Sequence, residues 1–480
     1  MKGLQNTRYS SNLAVISAYK LVSPEQAISW HGATLLKKIL LTLVLLFLIS
    51  FGAGAQNTRP QVVGGVPAET RADLRQETFD IVWRTVKEKH FDPTLGGVDW
   101  DKVREQYAPR AAAAKTDNEL YGILRQMLGE LHQSHFNIIP PEAVVEDDSR
   151  EPKGGSIGID LRLIDGLPTI TRVDPQSKAA IGGLRPGFVI KKIDDTTSDK
   201  IIETFAKSKE PQAMVSLRIT RTFLSKINGA PDTRVRIAYL DEKDQLREVS
   251  VIREKLKGEM SERLGNFPPQ YTEFETKRLA DSIGYIRFNV FAMSLMERIK
   301  SAIGGMKDAP GIIIDLRGNP GGLGGMSIGI AGVLGKERTS LGTMHMRSGH
   351  QNFAVFPQAN AYLGPLVILT DVTSASTSEI FAAGMQELGR AVVVGERTLG
   401  AALPSLFQKL PTGALFQFAI GDFRTPKGTL IEGQGVTPDK EVKLTRRALL
   451  EGRDPQLEAA IEQVRKQSKE RKAVAARSTY

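Results

Sequence analysis

Four short, mostly apolar runs in the second half of the 480-residue chain constrain its fold more than any other feature. Each is four to six residues long, and segments with apolar residues at helical spacing separate them. Such runs are typical of strands buried on both faces, and their alternation with helices indicates a parallel sheet. Residues 262–445 are therefore predicted to form an α/β core with strands at residues 283–288, 312–316, 366–369 and 391–394.

A helical domain is predicted upstream, in residues 56–150. Apolar residues recur at helical spacing around Phe79 and again between residues 120 and 131. The second pattern follows Thr116 and Glu119, which have the spacing of a capping box and mark a helix start near residue 117.

Residues 154–254 have short β-branched runs that turns interrupt, which predicts a small β-rich module. The last segment, residues 446–480, is rich in Lys and Glu and predicts a charged helix or tail with a solvated face. The chain is thus expected to be an α+β multidomain protein.

The composition excludes several kinds of chemistry. The chain has no cysteine, so disulfides, a thiolate nucleophile and a thiolate zinc site are impossible, and covalent catalysis must use oxygen or nitrogen. The formal net charge is +10, but Lys and Arg are scattered and form no dense basic block with aromatic residues. Nucleic acid is therefore not expected as a partner.

Residues 1–55 have the pattern of an export signal. Lys37 and Lys38 precede the apolar run 39–51, and the small residues 53–55 then suit a signal peptidase. The run is shorter than the ~20 residues that span a bilayer comfortably, so cleavage after Ala55 is favoured over retention as a membrane anchor. The only membrane contact expected is through this signal, if it stays uncleaved.

A candidate nucleophile lies between the third predicted strand and the helix that begins near Thr377. Ser376 at this strand–turn–helix junction would lie at a helix N-terminus, where free backbone amides and the helix dipole stabilise a developing oxyanion. The alternative is purely structural, because Ser376 and Glu379 also fit a plain capping box.

A glycine turn follows the second predicted strand, in Asp315-Leu316-Arg317-Gly318-Asn319-Pro320-Gly321-Gly322. Glycines in such a turn let backbone amides approach a substrate closely. The turn lacks the Gly-Lys-Ser/Thr ending of a P-loop and the glycine spacing of a dinucleotide fingerprint. A nucleotide cofactor is therefore not predicted.

This turn, together with Ser374-Ala375-Ser376 and Ser378-Glu379-Ile380, resembles the tail-specific (C-terminal processing) protease family over roughly residues 67–445. The resemblance implies a crotonase-like β/β/α peptidase core and acyl transfer without a cofactor or metal. By position it implies Ser376 as the nucleophile, with the backbone N–H groups of Gly318 and Thr377 as the oxyanion hole.

One residue departs from the Ser/Lys branch of that family. Its general-base lysine follows the nucleophile by 25 residues, a position that holds Ala401 in this chain. A serine hydroxyl needs an adjacent base, so histidine is the natural replacement. In the tricorn-core branch a Ser-His pair and a distant glutamate do this work, which implies Ser134, His135 and Glu432 as the partners of Ser376.

Each of these residues, considered by itself, also has an ordinary structural explanation. His135 alone would be a hydrogen-bonded histidine at a helix end, and Glu432 a charged turn residue. His132 and His135 are three residues apart, but no His-Glu-x-x-His pattern completes a metal site.

The β-rich module resembles a PDZ domain through Ile157-Gly158-Ile159 and the segment from Ser177 to Gly187. The resemblance implies that Ile157, Gly158 and Ile159 form a loop that holds the terminal carboxylate of a bound peptide. Two features depart from the PDZ family. Phe188 stands where the family usually has Asp, and the stretch between residues 194 and 244 is unusually long.

The sequence therefore predicts an exported serine endopeptidase acting on polypeptide substrates, with C-terminal regions as possible recognition elements. The alternative is a catalytically inactive homologue that binds peptides or other ligands on the same fold.

Overall fold

The computed structural model describes residues 68–143, 152–208 and 210–477. The predicted export signal lies outside the described residues. In the part that is described, no helix combines the length and apolar character needed to cross a membrane.

The first described segment is helical, and Thr116 caps its third helix as predicted, accepting the Glu119 N–H at 3.2 Å. Its elements are α1 (Ala68–Lys89), α2 (Trp100–Ala112), α3 (Asp117–Gly129) and β1 (Asn137–Ile139), with 3-10 turns at Leu95–Gly97 and Pro141–Ala143.

The second segment is an antiparallel sheet in the order β3-β4-β5-β7-β8, with β6 beside β5 and β2 paired to β9. Its elements are β2 (Gly155–Ser156), β3 (Ile159–Ile164), β4 (Leu167–Val173), α4 (Lys178–Ile181), β5 (Val189–Ile193), β6 (Thr196–Thr197), α5 (Ser198–Glu203), α6 (Gln212–Ile227), β7 (Arg234–Leu240), β8 (Leu246–Ile252) and β9 (Glu254–Lys255). Helix α6 lies beside the edge strand β3, so the long stretch 194–244 forms part of this module.

The third segment contains the main sheet, in the order β12-β13-β14-β17-β18-β22, and it is parallel from β13 onward. Its elements are β10 (Glu259–Met260), β11 (Tyr271–Thr272), β12 (Phe274–Arg278), β13 (Gly284–Phe288), α7 (Met293–Gly304), β14 (Ile312–Asp315), α8 (Gly324–Gly332), β15 (Thr339–Met346), β16 (Gly349–Val355), β17 (Leu366–Thr370), α9 (Thr377–Glu387), β18 (Val392–Gly395), β19 (Ser405–Lys409), β20 (Leu415–Ala419), β21 (Gly421–Arg424), β22 (Lys440–Glu441), α10 (Arg446–Leu450) and α11 (Pro455–Arg477), with a 3-10 turn at Ala280–Ser282. The four strands expected from the apolar runs are all present.

Helices cover both faces of this sheet, which explains why its strands are so apolar. Ile312 and Ile314 face α7, α8 and α9, whereas Ile313 between them faces α11. The charged C-terminal helix is therefore not solvated on every side. Its residue Val464 is fully buried and packs so closely on Gly311 that a Cβ at Gly311 would lie 2.3 Å from it.

The helical segment shares its hydrophobic core with the third segment. Leu410, Ala414, Phe416 and Phe418 pack among the apolar residues of α1, α2 and α3. Strand β1 pairs antiparallel with β20, which also pairs with β19. This pairing fixes the position of the chain just before β1, where Ser134 and His135 lie.

Candidate active site

Ser376 lies in the tight turn between β17 and α9. Its φ and ψ are +56° and −120°, a conformation that non-glycine residues seldom adopt and that costs about 1–3 kcal/mol. Gly321 lies against it, since a Cβ at Gly321 would be 2.6 Å from the Ser376 Cβ. The flanking residues Ala375 and Thr377 are buried while Ser376 is partly exposed, so the strained turn presents this serine to solvent.

Glu379 fixes the turn from within the protein. Its fully buried carboxylate accepts the N–H groups of Ser376, Gly400 and Ala401 at 3.0, 2.7 and 2.9 Å, and the Thr398 hydroxyl at 2.5 Å. Burial raises the pKa of Glu379 to about 7, although these four hydrogen bonds oppose the shift. The sequence marked Glu379 only as a capping residue; its reach to residues 398–401 depends on contacts distant in sequence.

Two N–H groups near the nucleophile are free to bind an oxyanion. Neither the Thr377 N–H at the start of α9 nor the Gly322 N–H donates to any described residue. The Gly322 carbonyl accepts the Thr377 hydroxyl at 2.8 Å, which brings the two residues together. Gly322 therefore lies against the residue that follows Ser376.

Gly318, in contrast, has its N–H occupied. That group donates to Asp371 Oδ1 at 3.1 Å, and a Cβ at Gly318 would lie 2.5 Å from the Arg162 guanidinium. An N–H bound to a carboxylate is not available to an oxyanion, so these contacts do not support the predicted role of Gly318.

The predicted base is held by a chain of hydrogen bonds. His135 Nδ1 and Ser134 Oγ are 2.7 Å apart, and Ser134 Oγ donates to Glu432 Oε2 at 2.9 Å. Because the one hydroxyl proton of Ser134 goes to Glu432, Nδ1 must carry a proton and donate to Ser134. The lone pair of His135 is then on Nε2, as a general base requires.

Glu432 is also bonded to the backbone on both oxygens. Oε1 accepts the Ser134 N–H at 2.8 Å, and Oε2 accepts the Ala402 N–H at 2.9 Å. Burial raises the pKa of Glu432, an effect that the hydrogen bonds from Ser134 and Ala402 partly offset.

Residues 398–402 connect the two halves of the site. The Ala401 carbonyl accepts the Ser376 N–H at 2.8 Å, and the neighbouring Ala402 N–H binds Glu432. Ala401 is buried and has no side chain to act as a base, yet its backbone supports the nucleophile. The loop thus bonds directly to Ser376 and Glu432, and Glu432 in turn bonds to Ser134, the partner of His135.

His135 does not contact the nucleophile through a hydrogen bond. In the described part of the chain its ring is bonded to Ser134 and not to Ser376. Burial, together with the nearby charge of Arg221 on α6, lowers the pKa of His135 to about 4. The ring is therefore neutral near pH 7, although its bond to Ser376 would have to form with substrate bound, as is common for unliganded sites.

The β-rich module holds its predicted peptide-binding loop tightly. The side chains of Ile157 and Ile159 lie in the core of the module, and the Gly158 N–H donates to Ser156 Oγ at 3.0 Å. Only their backbone could meet a ligand. Phe188 is buried and stacks on Tyr239 at 5.2 Å, which explains why a hydrophobic residue stands where an Asp was expected.

An ion pair joins this module to the nucleophile turn. The Nε–H of Arg162 on β3 donates to Asp371 Oδ2 at 3.0 Å, and its Nη1–H donates to the Leu161 carbonyl at 2.7 Å. Asp371 also accepts from Gly318 and Thr373. Sequence analysis missed Asp371, although a carboxylate directly after a buried strand was a usable signal.

Metal ligation has no support in the described residues, where no three His, Asp or Glu side chains converge. His132 is exposed, and His345 pairs with Asp422 at 3.0 Å on β15 and β21.

A serine at a strained turn before a helix, together with a His–Ser–Glu chain of hydrogen bonds, is typical of serine hydrolases. Known proteins agree with this class. Residues 282–442 match the model of Peptidase family S41, and residues 72–129 match the Tricorn protease C1 domain. The chain therefore contains an S41 peptidase domain and a Tricorn C1 domain, which identify it as a serine-type peptidase.

Individual relatives cover most of the chain. A carboxyl-terminal-processing protease of Synechocystis sp. is 26% identical over 388 residues, which span 79% of this chain and 84% of that protein. One of Picosynechococcus sp. is 27% identical over 369 residues, spanning 75% and 81%. A solved photosystem II D1 C-terminal processing protease shares the fold, with a TM-score of 0.53 at 21% identity over 77% of this chain and 93% of that one.

Proposed function

We propose that this peptidase is an exported endopeptidase that cuts polypeptides through an acyl-enzyme on Ser376, with His135 as general base. The observation that carries the proposal is the shared loop. Ala401 binds the Ser376 backbone, and Ala402 binds the glutamate that orients His135 through Ser134.

The proposed reaction has two half-reactions, acylation of Ser376 and hydrolysis of the acyl group, and both use the same catalytic groups. His135 Nε2 takes the Ser376 proton as the hydroxyl attacks the peptide carbonyl, and the N–H groups of Gly322 and Thr377 bind the oxyanion. The imidazolium then protonates the leaving amine, and water releases the acyl group by the reverse proton path. Gly322 replaces Gly318 in this assignment.

The β-rich module is proposed to act as a PDZ domain that binds C-terminal regions of substrates. Its strand β3 has a free edge beside α6, and a cleft of about 910 Å³ separates β3, β4 and α6 from the ends of the core strands. An extended peptide could pair with such an edge. Substrate peptides with an amidated C-terminus should then show a raised KM, and an unchanged KM would remove this role.

The core is proposed to be crotonase-like, and the chain is proposed to be exported. The crotonase-like description of the core rests on the family resemblance and on a parallel sheet with smaller antiparallel sheets beside it. Export rests on residues 1–55, and amino-terminal sequencing of envelope-derived protein should begin at Gln56. A chain that starts before Ala55 would indicate an anchor instead.

Ser376→Ala provides the decisive test of proteolysis. The variant should fold normally and lose hydrolysis of unfolded protein, and a serine-reactive phosphonate should label the wild type but not the variant. Retained hydrolysis would show that Ser376 is not the nucleophile. Peptide binding by a wild type that neither cuts nor reacts would favour the inactive binding protein.

A further inference from the structure

The segment between α3 and β1 carries the proposed base in an unfavourable backbone conformation. His132 and His135 have φ values of +50° and +61°, in a region that residues with a Cβ seldom occupy. Such conformations persist where surrounding contacts over-determine them, often at active sites. The contacts that hold residues 132–136 therefore bear directly on where the His135 ring points.

Glu432 supplies the contacts on one side, through the backbone and hydroxyl of Ser134. These bonds fix one residue of the segment to the core. They do not touch Gln133 or Phe136, the residues that flank the Ser-His pair.

His90 supplies contacts from the helical segment. It is 1% exposed and lies directly after α1. Its Nε2 is 2.8 Å from Gln133 Oε1, and its ring stacks on Phe136 with centroids 5.5 Å apart and planes 9° from parallel. One buried side chain thus contacts both flanks of the Ser-His pair.

The other ring nitrogen fixes the orientation of His90 itself. Nδ1 lies 3.0 Å from the Asp92 N and 2.9 Å from the Asp92 carbonyl oxygen. Because Gln133 Oε1 can only accept, Nε2 carries a proton. That proton is then donated to Gln133. The ring also stacks on Phe91 at 4.5 Å, so hydrogen bonds and stacking hold it in one pose.

We propose that His90 is a positioning residue, which holds residues 132–136 and thereby fixes the position from which His135 reaches Ser376. The inference rests on the proposed role of His135 as base. His90 touches no reacting atom, and its effect reaches the chemistry through Gln133 and Phe136.

Three substitutions separate the ring's contacts. His90→Phe keeps the stacking and loses both hydrogen bonds. His90→Gln can place an amide nitrogen near the site of Nε2 and donate to Gln133, whereas His90→Asn can replace only the contact of Nδ1 with Asp92. Tyr107→Phe is the matched control, because it removes a hydrogen bond to Glu130 in the same helical segment.

The assay measures kcat, KM and thermal melting on one peptide substrate. His90→Phe should lower kcat by roughly 10- to 100-fold, the range expected when a catalytic group is misplaced by up to 1 Å, with KM within about twofold. His90→Gln should recover most of kcat and His90→Asn should not. Tyr107→Phe should lower the melting temperature and leave kcat unchanged.

Contrary results would be equally clear. Wild-type kcat in His90→Phe, or a kcat loss that Tyr107→Phe reproduces at equal melting temperature, overturns the positioning role. If His90→Phe does not fold, equal activity of the Gln and Asn variants overturns it. His135→Ala separates the two hypotheses, because full activity in that variant refutes the proposed base rather than the role of His90.

Discussion

Glu432→Gln tests the hydrogen-bond chain with a change of one atom. Each carboxylate oxygen accepts a backbone N–H, from Ser134 on Oε1 and from Ala402 on Oε2. A glutamine carries one oxygen and one NH2 group. Whichever way the amide turns, its NH2 faces a backbone N–H that must lose its acceptor.

The catalytic consequence depends on the Ser134 hydroxyl. If the NH2 takes the place of Oε2, that hydroxyl must accept from it and donate to His135 Nδ1. The imidazole proton would then move to Nε2, the atom that should receive the Ser376 proton. A wrong tautomer in a comparable triad lowers kcat about 10⁴-fold, so the expected loss here is on the order of 10²- to 10⁴-fold.

Stability should fall as well, because a buried N–H left without an acceptor costs about 1–3 kcal/mol. Melting temperature and kcat should be measured together, with KM expected to change little. Glu387→Gln on the same core is a matched control. Glu387 accepts the Thr425 hydroxyl and the Lys427 N–H, both at 2.8 Å, so a glutamine oxygen can serve Lys427 while its NH2 donates to Thr425.

The reasoning fails if Glu432→Gln keeps kcat within about tenfold of the wild type while Glu387→Gln behaves the same way. That outcome would mean that the tautomer of His135 does not depend on the charge of Glu432, since an amide oxygen in the place of Oε2 would serve the Ser134 hydroxyl equally well.

Two further predictions concern charge. Arg221→Gln removes a cation that lowers the pKa of His135, so that pKa should rise from about 4 toward its ordinary value. The acid limb of the pH profile of kcat/KM should then move to higher pH. An unmoved limb would mean that the charge of Arg221 does not affect the pKa of His135. Burial raises the pKa of Asp315, but the charge and hydrogen bonds of Arg317 outweigh it and hold that pKa well below its ordinary value. The ionised pair therefore stabilises the fold fully above pH ~4 and less as the pH falls further. Asp315→Asn should lower the free energy of unfolding by about 3–5 kcal/mol at pH 7 and make the melting temperature less dependent on acid pH. An unchanged slope of melting temperature against pH between pH 4 and 2 would contradict this.

The parts of the fold read correctly from the sequence are those governed by local patterns. The strands of the main sheet were predictable because both faces are covered, so residues such as Ile312, Ile313 and Ile314 are all apolar. The helix start at Thr116 was predictable because a cap depends on neighbours three residues away. The turn at Ser376 followed from the same kind of signal.

Contacts between distant segments were harder to foresee. Gly318 has the residue type of an oxyanion donor, but Asp371 takes its N–H across 53 positions of sequence. His90 was one of several histidines without a distinguishing pattern, and its contact with Gln133 appears only once α1 packs beside α3. The C-terminal segment was expected to present a solvated face because charged residues dominate it, yet its Val464 is buried and completes the core.

The loss of lysine at position 401 changes what the surrounding loop must do. A lysine-based site needs a side chain from this loop, and the base then belongs to the same segment as its support. The base proposed for this chain, His135, instead lies before β1, so its distance from Ser376 depends on the pairing of β1 with β20 and on the core shared with Phe416. The loop retains a role through its backbone, because Ala401 holds the nucleophile and Ala402 holds Glu432. The proposed catalytic unit therefore depends on the packing of the helical segment against the core, and under this proposal that interface is part of the site.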